Sequence, residues 1–242
     1  MNGSNLDREN AIRREQYSRK VQNIMTQKND LFGWAHQKNF DKYYKVYGEM
    51  TPINSDIINN MPNAEIILDE EVYGFLLGIM DVTNKTNQEW PFLLYGKEIS
   101  NNKIEFTNCF LSSDKRQSTS ATFDQNMVNS LQNEINKNSN NGLVVCHGHS
   151  HPPIGDFHQN FSLGDFISYM QMNQENSVFK NKKVELIGCL VTSTGDINFV
   201  FYDNKFENFY RFTNVFVKEW NDSLTPVNCY GLNQSQKRKN KI

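Results

Sequence analysis

Leu143-Val144-Val145-Cys146-His147-Gly148-His149-Ser150-His151-Pro152 is the stretch that decides the fold. Its first four residues are apolar, which predicts a strand buried on both faces of a sheet. Side chains two apart on a strand point the same way, so His149 and His151 present both imidazoles to one side at the strand's end. His147 shares that face but sits deeper, where a hydrogen-bonding partner to the ligands and a satisfied core histidine are both open readings. Four of the five histidines lie at 147, 149, 151 and 158, a clustering that packing does not explain.

Beyond a loop carrying Pro152, Pro153 and Gly155 comes Ser162-Leu163-Gly164-Asp165. Ser-x-x-Asp before an apolar run has the form of a capping box, with Ser162 as N-cap of a helix through Phe166, Ile167 and Met170. Asp165 then falls in the first turn, close to the end of the strand. Two imidazoles and one carboxylate are three ligands, and three ligands leave a tetrahedral Zn²⁺ with an open position, as in catalytic sites. Zinc lowers the pKa of a bound water from 15.7 to about 7. Neither half of the pattern is specific alone, since Ser-x-x-Asp is usually only a cap and exposed His-x-His is common. Their conjunction carries the reading.

The flanking sequence fills in an architecture. Val72, Phe75, Leu76, Ile79 and Met80 recur at helical spacing. A hairpin is expected from Trp90–Tyr95 and Lys103–Phe110, bounded by Asn84-Lys85-Thr86-Asn87 and Gly96. Phe123, Met127, Val128, Leu131 and Ile135 share a helical face that ends in Asn138-Ser139-Asn140-Asn141-Gly142. Val184–Thr192 and Ile197–Tyr202 read as two strands joined by Ser193-Thr194-Gly195-Asp196. Residues 7 to 50 look helical, with Ile12, Val21, Ile24 and Met25 on a thin stripe. Phe32, Trp34, Phe40, Tyr43, Tyr44 and Tyr47 follow, as packing residues or as a substrate or partner surface. Phe206 to Trp220 reads as an amphipathic element closing the core.

His149-Ser150-His151-Pro152 after a buried strand, then Ser162-x-x-Asp165 opening a helix, resembles the JAMM (MPN-plus, JAB domain) zinc metalloprotease motif of bacterial or phage type. That motif reads His-Ser/Thr-His-Pro, then Ser-x-x-Asp. The resemblance spans roughly residues 63 to 203. It implies an α/β (α+β) fold, a JAMM/cytidine-deaminase-like mixed β-sheet flanked by helices. Around that core lie a helical N-terminal extension over 1–62 and a C-terminal closing element with a basic tail over 204–242. The family usually places ten residues between the second His and the Asp, and here there are thirteen, 152 to 164. A longer surface loop between fixed elements is cheap in free energy. Asp156 and His158 in it are candidates for extra ligands or substrate contacts, with solvated loop residues as the plainer reading.

The resemblance also calls for a glutamate as general base, in the form Glu-x-x-Gly-x-Leu-x-Gly. Glu71-Val72-Tyr73-Gly74-Phe75-Leu76-Leu77-Gly78 fits the letters better, whereas Glu89-Trp90-Pro91-Phe92-Leu93-Leu94-Tyr95-Gly96 lacks the first Gly. Periodicity puts Glu71 in the first turn of a helix, where the macrodipole favours it. Glu89 precedes the hairpin and lies 60 residues before His149 rather than 78, which is nearer the family norm. Glu89 is therefore assigned as the base. By resemblance, His149, His151 and Asp165 hold one Zn²⁺ per chain, Glu89 moves the protons, and Ser162 stabilises the oxyanion. The implied activity is hydrolysis of a peptide or isopeptide bond in a protein or peptide substrate, a ubiquitin-like or other small protein among the candidates. The alternatives are a metal-binding but non-catalytic scaffold or interaction module and, more weakly, a DNA-repair relative of the same fold.

Composition sets the limits. The chain has 242 residues, enough for one to two domains, and 38% hydrophobic with 12% aromatic content suffices for a packed core. A net charge of −2 and a pI near 6.2 give no electrostatic pull toward nucleic acid or anionic membrane. No apolar run approaches the ~20 residues that span a bilayer. The amino terminus lacks a signal-peptide core. Cys109, Cys146, Cys189 and Cys229 form no Cys-x-x-Cys, so buried free thiols and a cytoplasmic location are expected. The terminal Lys237-Arg238-Lys239-Asn240-Lys241 reads as a solvated tail. Oligomeric state is not encoded in any pattern here.

Overall fold

The computed structural model describes residues 3–32, 34–53, 58–112, 129–133, 142–154, 159–175 and 184–227. Asp156, His158, Cys229 and the basic tail lie outside these, as do Phe123, Met127, Val128, Ile135 and the side chains of Phe32 and Trp34. Of the helix expected over 123–135, residues 129–133 are described and helical, with Leu131 fully buried.

Helices α1 (Gly3–Phe32) and α2 (Trp34–Tyr47) and a 3₁₀ turn (Gly48–Met50) precede the sheet. The strands are β1 (Asn59–Asp69), β2 (Phe92–Ser100), β3 (Lys103–Leu111), β4 (Leu143–His151), β5 (Val184–Thr192), β6 (Ile197–Asp203), β7 (Asn208–Lys218) and β8 (Leu224–Pro226). Helix α3 (Glu70–Thr86) links β1 to β2, and α4 (Leu163–Glu175) follows β4. The sheet is mixed, in the order β1-β3-β2-β4-β5-β6-β7-β8. It is flanked by helices as expected, but it also closes on itself. β1 pairs in parallel with both β3 and β7, so seven strands form a barrel and β8 extends one end. Arg211 of β7 secures the closure, with Nε and Nη2 donating to Asn60 Oδ1 of β1 at 3.2 and 3.1 Å. The Phe206–Trp220 segment thus supplies a strand of the barrel wall.

Two differences from the sequence reading concern element ends. β2 runs from Phe92 through Gly96 to Ser100 instead of spanning Trp90–Tyr95. Gly96 marks a register shift rather than an end, because a Cβ there would sit 2.0 Å from the Glu105 carbonyl oxygen. Helix α3 continues through Asn84–Thr86, and Asn87 ends it with φ +53°, donating its N–H to Thr83 O. Glu89 therefore stands on the connection between α3 and β2, not on a strand.

Alternation sorts the β4 side chains between two cores. Val144 and Cys146 face the barrel interior with Leu94, Phe106, Cys189 and Phe199, and α3 packs there through Val72, Leu76 and Ile79. Val145 faces outward with Leu93, Tyr95 and Leu131. Outside β5 and β6, Leu190, Val200 and Tyr202 pack against Phe166, Ile167 and Met170 of α4. Val21 and Met25 of α1 are fully buried in the same cluster, with Ile24 and Phe40 partly buried beside them. Ile12, Tyr44 and Tyr47 are exposed.

Candidate metal centre

The outward face of β4 carries His147, His149 and His151, and the first turn of α4 comes to meet it. His149 Nε2 and His151 Nε2 lie 3.0 Å apart. Asp165 Oδ1 is 3.3 Å from His149 Nε2, and Asp165 Oδ2 is 3.8 Å from His151 Nε2. With Zn–N and Zn–O bonds of about 2.0–2.1 Å, ligand atoms at tetrahedral angles stand about 3.3 Å apart, so these three spacings bracket the value. A buried cluster of His149, His151 and Asp165 could thus hold a metal ion.

The carboxylate is aimed by its own helix end. Ser162 N–H and Ser162 Oγ–H donate to Asp165 Oδ2 at 2.7 and 2.8 Å, and Asp165 N–H returns to Ser162 Oγ at 3.2 Å. This is the reciprocal cap expected from Ser-x-x-Asp. Residues before α2's successor strand reinforce it: Leu163 N–H donates to Thr51 O, Ile53 N–H donates to Phe161 O, and Pro52 bridges Ser162. Nothing in the residue pattern of 48–53 pointed to this role.

Glu89 arrives from the connection between α3 and β2. Its Oε1 stands 4.0 Å from His151 Nε2, and both side chains are 12% exposed. Glu71, the other candidate, opens α3 on the surface and takes no part in the cluster. Of the expected set, Glu89, His149, His151, Ser162 and Asp165 come together. His147 lies two residues back along β4 and meets the Tyr169 ring edge-on at 5.9 Å between centroids, while the same ring lies over Gly188. His147 is not among the converging ligand atoms.

The charges in this small volume shape one another. Burial pushes the Glu89 carboxyl up to about 7, against the pull of His149, with Asp165 adding to the rise. Burial disfavours charge on His149, but the Asp165 carboxylate, its hydrogen bond and Glu89 outweigh that and hold the imidazole at about 8. Asp165 is also penalised by burial, yet His149, His151 and the Ser162 N–H keep it well below the ordinary carboxylate range. Burial and the neighbouring His149 press His147 down to about 3, so it is neutral near pH 7.

Comparison with known protein families gives no match, and comparison with curated proteins gives none either. No helix among the described residues is long and apolar enough to cross a membrane.

Proposed function

We propose that the chain is a JAMM-type zinc-dependent metallopeptidase hydrolysing a peptide or isopeptide bond. The observation that carries this reading is Glu89, a buried carboxylate from a separate element, set against a cluster with three ligands among the described residues. A structural zinc site has four protein ligands and no need of such a neighbour. The donor set, two imidazole nitrogens and one carboxylate oxygen, suits zinc among the common divalent ions. When bound, zinc supplies Lewis acidity that makes a water acidic near neutral pH and polarises a carbonyl.

The chain's own residues supply the rest. His149, His151 and Asp165 hold the ion. Glu89, beside His151 at the edge of the cluster, is placed to accept a proton from the attacking water and return it to the leaving amine. Ser162 Oγ–H can turn from Asp165 toward the oxyanion, because the Ser162 N–H keeps its own bond to the same carboxylate oxygen. The substrate is a protein or peptide, with a ubiquitin-like protein as one candidate. The free thiols Cys109, Cys146 and Cys189 support a reducing compartment such as the cytoplasm.

Zinc content and cleavage of peptide and isopeptide substrates by three variants test the reading. Glu89→Gln is expected to keep one zinc per chain and lose hydrolysis by at least about 100-fold. His151→Ala loses the metal, and Glu71→Gln behaves as wild type. Full activity in Glu89→Gln reassigns the base. A wild type that binds zinc yet cleaves nothing, whatever the substrate, points instead to a metal-binding scaffold.

A further inference from the structure

Between the two histidine ligands, Ser150 points the other way, toward the barrel interior, and is fully buried. A buried hydroxyl is costly unless it is hydrogen-bonded, and alanine would occupy the same space without that cost. Ser150 Oγ lies 2.5 Å from Thr83 Oγ1 of α3, which is also fully buried. It accepts the Trp90 N–H at 3.0 Å, and the Ser150 N–H donates to Trp90 O at 3.2 Å. Trp90 immediately follows Glu89. The regular β2–β4 ladder reaches only to Phe92↔Gly148, and Pro91 has no N–H to extend it. The connection that carries Glu89 is therefore held to the histidine strand through Ser150.

We propose that Ser150 and Thr83 are positioning residues: a two-hydroxyl link from α3 to the Trp90 backbone that fixes the Glu89 carboxylate against the open side of the His149–His151–Asp165 cluster. This rests on the metallopeptidase reading above. The link's hydrogen bonds run to Thr83 and the Trp90 backbone on the face of β4 opposite the histidine ligands, so its loss is separable from loss of the metal. A group displaced by about 1 Å from productive geometry loses about 100-fold in rate, and partners that orient catalytic groups commonly contribute 10–100-fold.

The test compares wild type with Ser150→Ala, Thr83→Val, Thr83→Ser and Glu89→Gln, each loaded with zinc for kinetics and with cobalt(II) for its visible spectrum. Ser150→Ala is expected to bind one metal per chain with near wild-type affinity. Its kcat should fall about 10–100-fold with KM little changed. Its cobalt spectrum should shift toward that of Glu89→Gln, and the Trp90 amide should exchange faster. Thr83→Val, equal in volume, shifts the same way by less, and Thr83→Ser restores wild-type behaviour. A Ser150→Ala variant with the wild-type cobalt spectrum and kcat overturns the proposal while leaving the metallopeptidase reading standing. So does one that loses metal affinity and activity together. A wild type that takes up no cobalt overturns both.

Discussion

Glu89 and His149 both hold protons in the folded chain that the unfolded chain would release, and this sets a pH signature for the metal-free protein. A group whose pKa is raised by folding contributes stability in full below its unfolded value, and that contribution is lost as pH rises through the folded value. For Glu89 the window runs from 4.5 to about 7. For His149 it runs from 6.5 to about 8. Asp165 has the opposite sign, since its lowered pKa confers stability above 3.8 that disappears only on further acidification. His147, pressed down to about 3 from 6.5, has the same sign as Asp165 and offsets Glu89 up to pH 6.5. In chelator, the melting temperature should therefore change little from pH 5 to pH 6.5 and fall from there to pH 8.5. Glu89→Gln removes the lower part of that slope and melts higher than wild type at pH 8, by on the order of 3 kcal/mol in stability. A wild type more stable at pH 8.5 than at pH 6 would contradict the assignment. Ser162 gives a second residue-scale expectation. If its hydroxyl serves the oxyanion, Ser162→Ala loses about 100- to 1000-fold in kcat. If it only aims Asp165, the variant loses zinc affinity instead, and zinc titration beside kinetics separates the two.

At the scale of elements, β4 is a ligand-bearing strand braced from behind. Gly148 sits between His147 and His149 with the Phe92 ring packed directly on it, so that a Cβ there would fall 2.0 Å from Phe92 Cε2. Phe92 is fully buried and meets Phe75 of α3 edge-on at 6.0 Å, so the ring has nowhere cheap to go. Gly148→Ala should cost about 1–3 kcal/mol by thermal melting and weaken zinc binding, since β4 itself has to shift. Unchanged zinc affinity in this variant would show that the strand absorbs the strain without moving its ligands. The same elements show what a sequence reading can reach. β4, the β5–β6 hairpin and the start of α4 were legible because their apolar periodicity and caps are local. β1 is not legible as a strand: Pro62, Asn59, Asn60 and Asn63 mask its first half, and it tolerates Pro62 where its register shifts between Met61 and Glu65. The interior role of Ser150 follows from alternation once His149 and His151 face outward, but its partners Thr83 and Trp90 are distant in sequence and only the fold reveals them.

At the scale of the whole molecule, the N-terminal helices are fastened to the core and to the candidate site together. Val21 and Met25 are fully buried against α4, the helix whose first turn holds Asp165. The segment after α2 pairs with the backbone on either side of Ser162. Arg14 of α1 bonds Glu49 in the 3₁₀ turn that follows α2, a half-exposed ion pair that contributes at most about 1 kcal/mol. Most of the attachment is therefore apolar. The thin stripe Val21, Ile24, Met25 was visible in the sequence, but its docking surface was not, because the face it covers is assembled from α4, β5 and β6. Deleting the buried Met25 side chain leaves a cavity, and Met25→Ala should cost about 2–4 kcal/mol, lowering the melting temperature by roughly 5–15 °C for a chain of this length. If the extension and barrel form one cooperative unit, that whole loss appears in a single transition. Were the extension a separately folding appendage, Met25→Ala would leave the main transition in place and produce an early, small one. Calorimetry of wild type and Met25→Ala in chelator decides between these, because without bound metal no ligand affinity adds to the stability of the barrel.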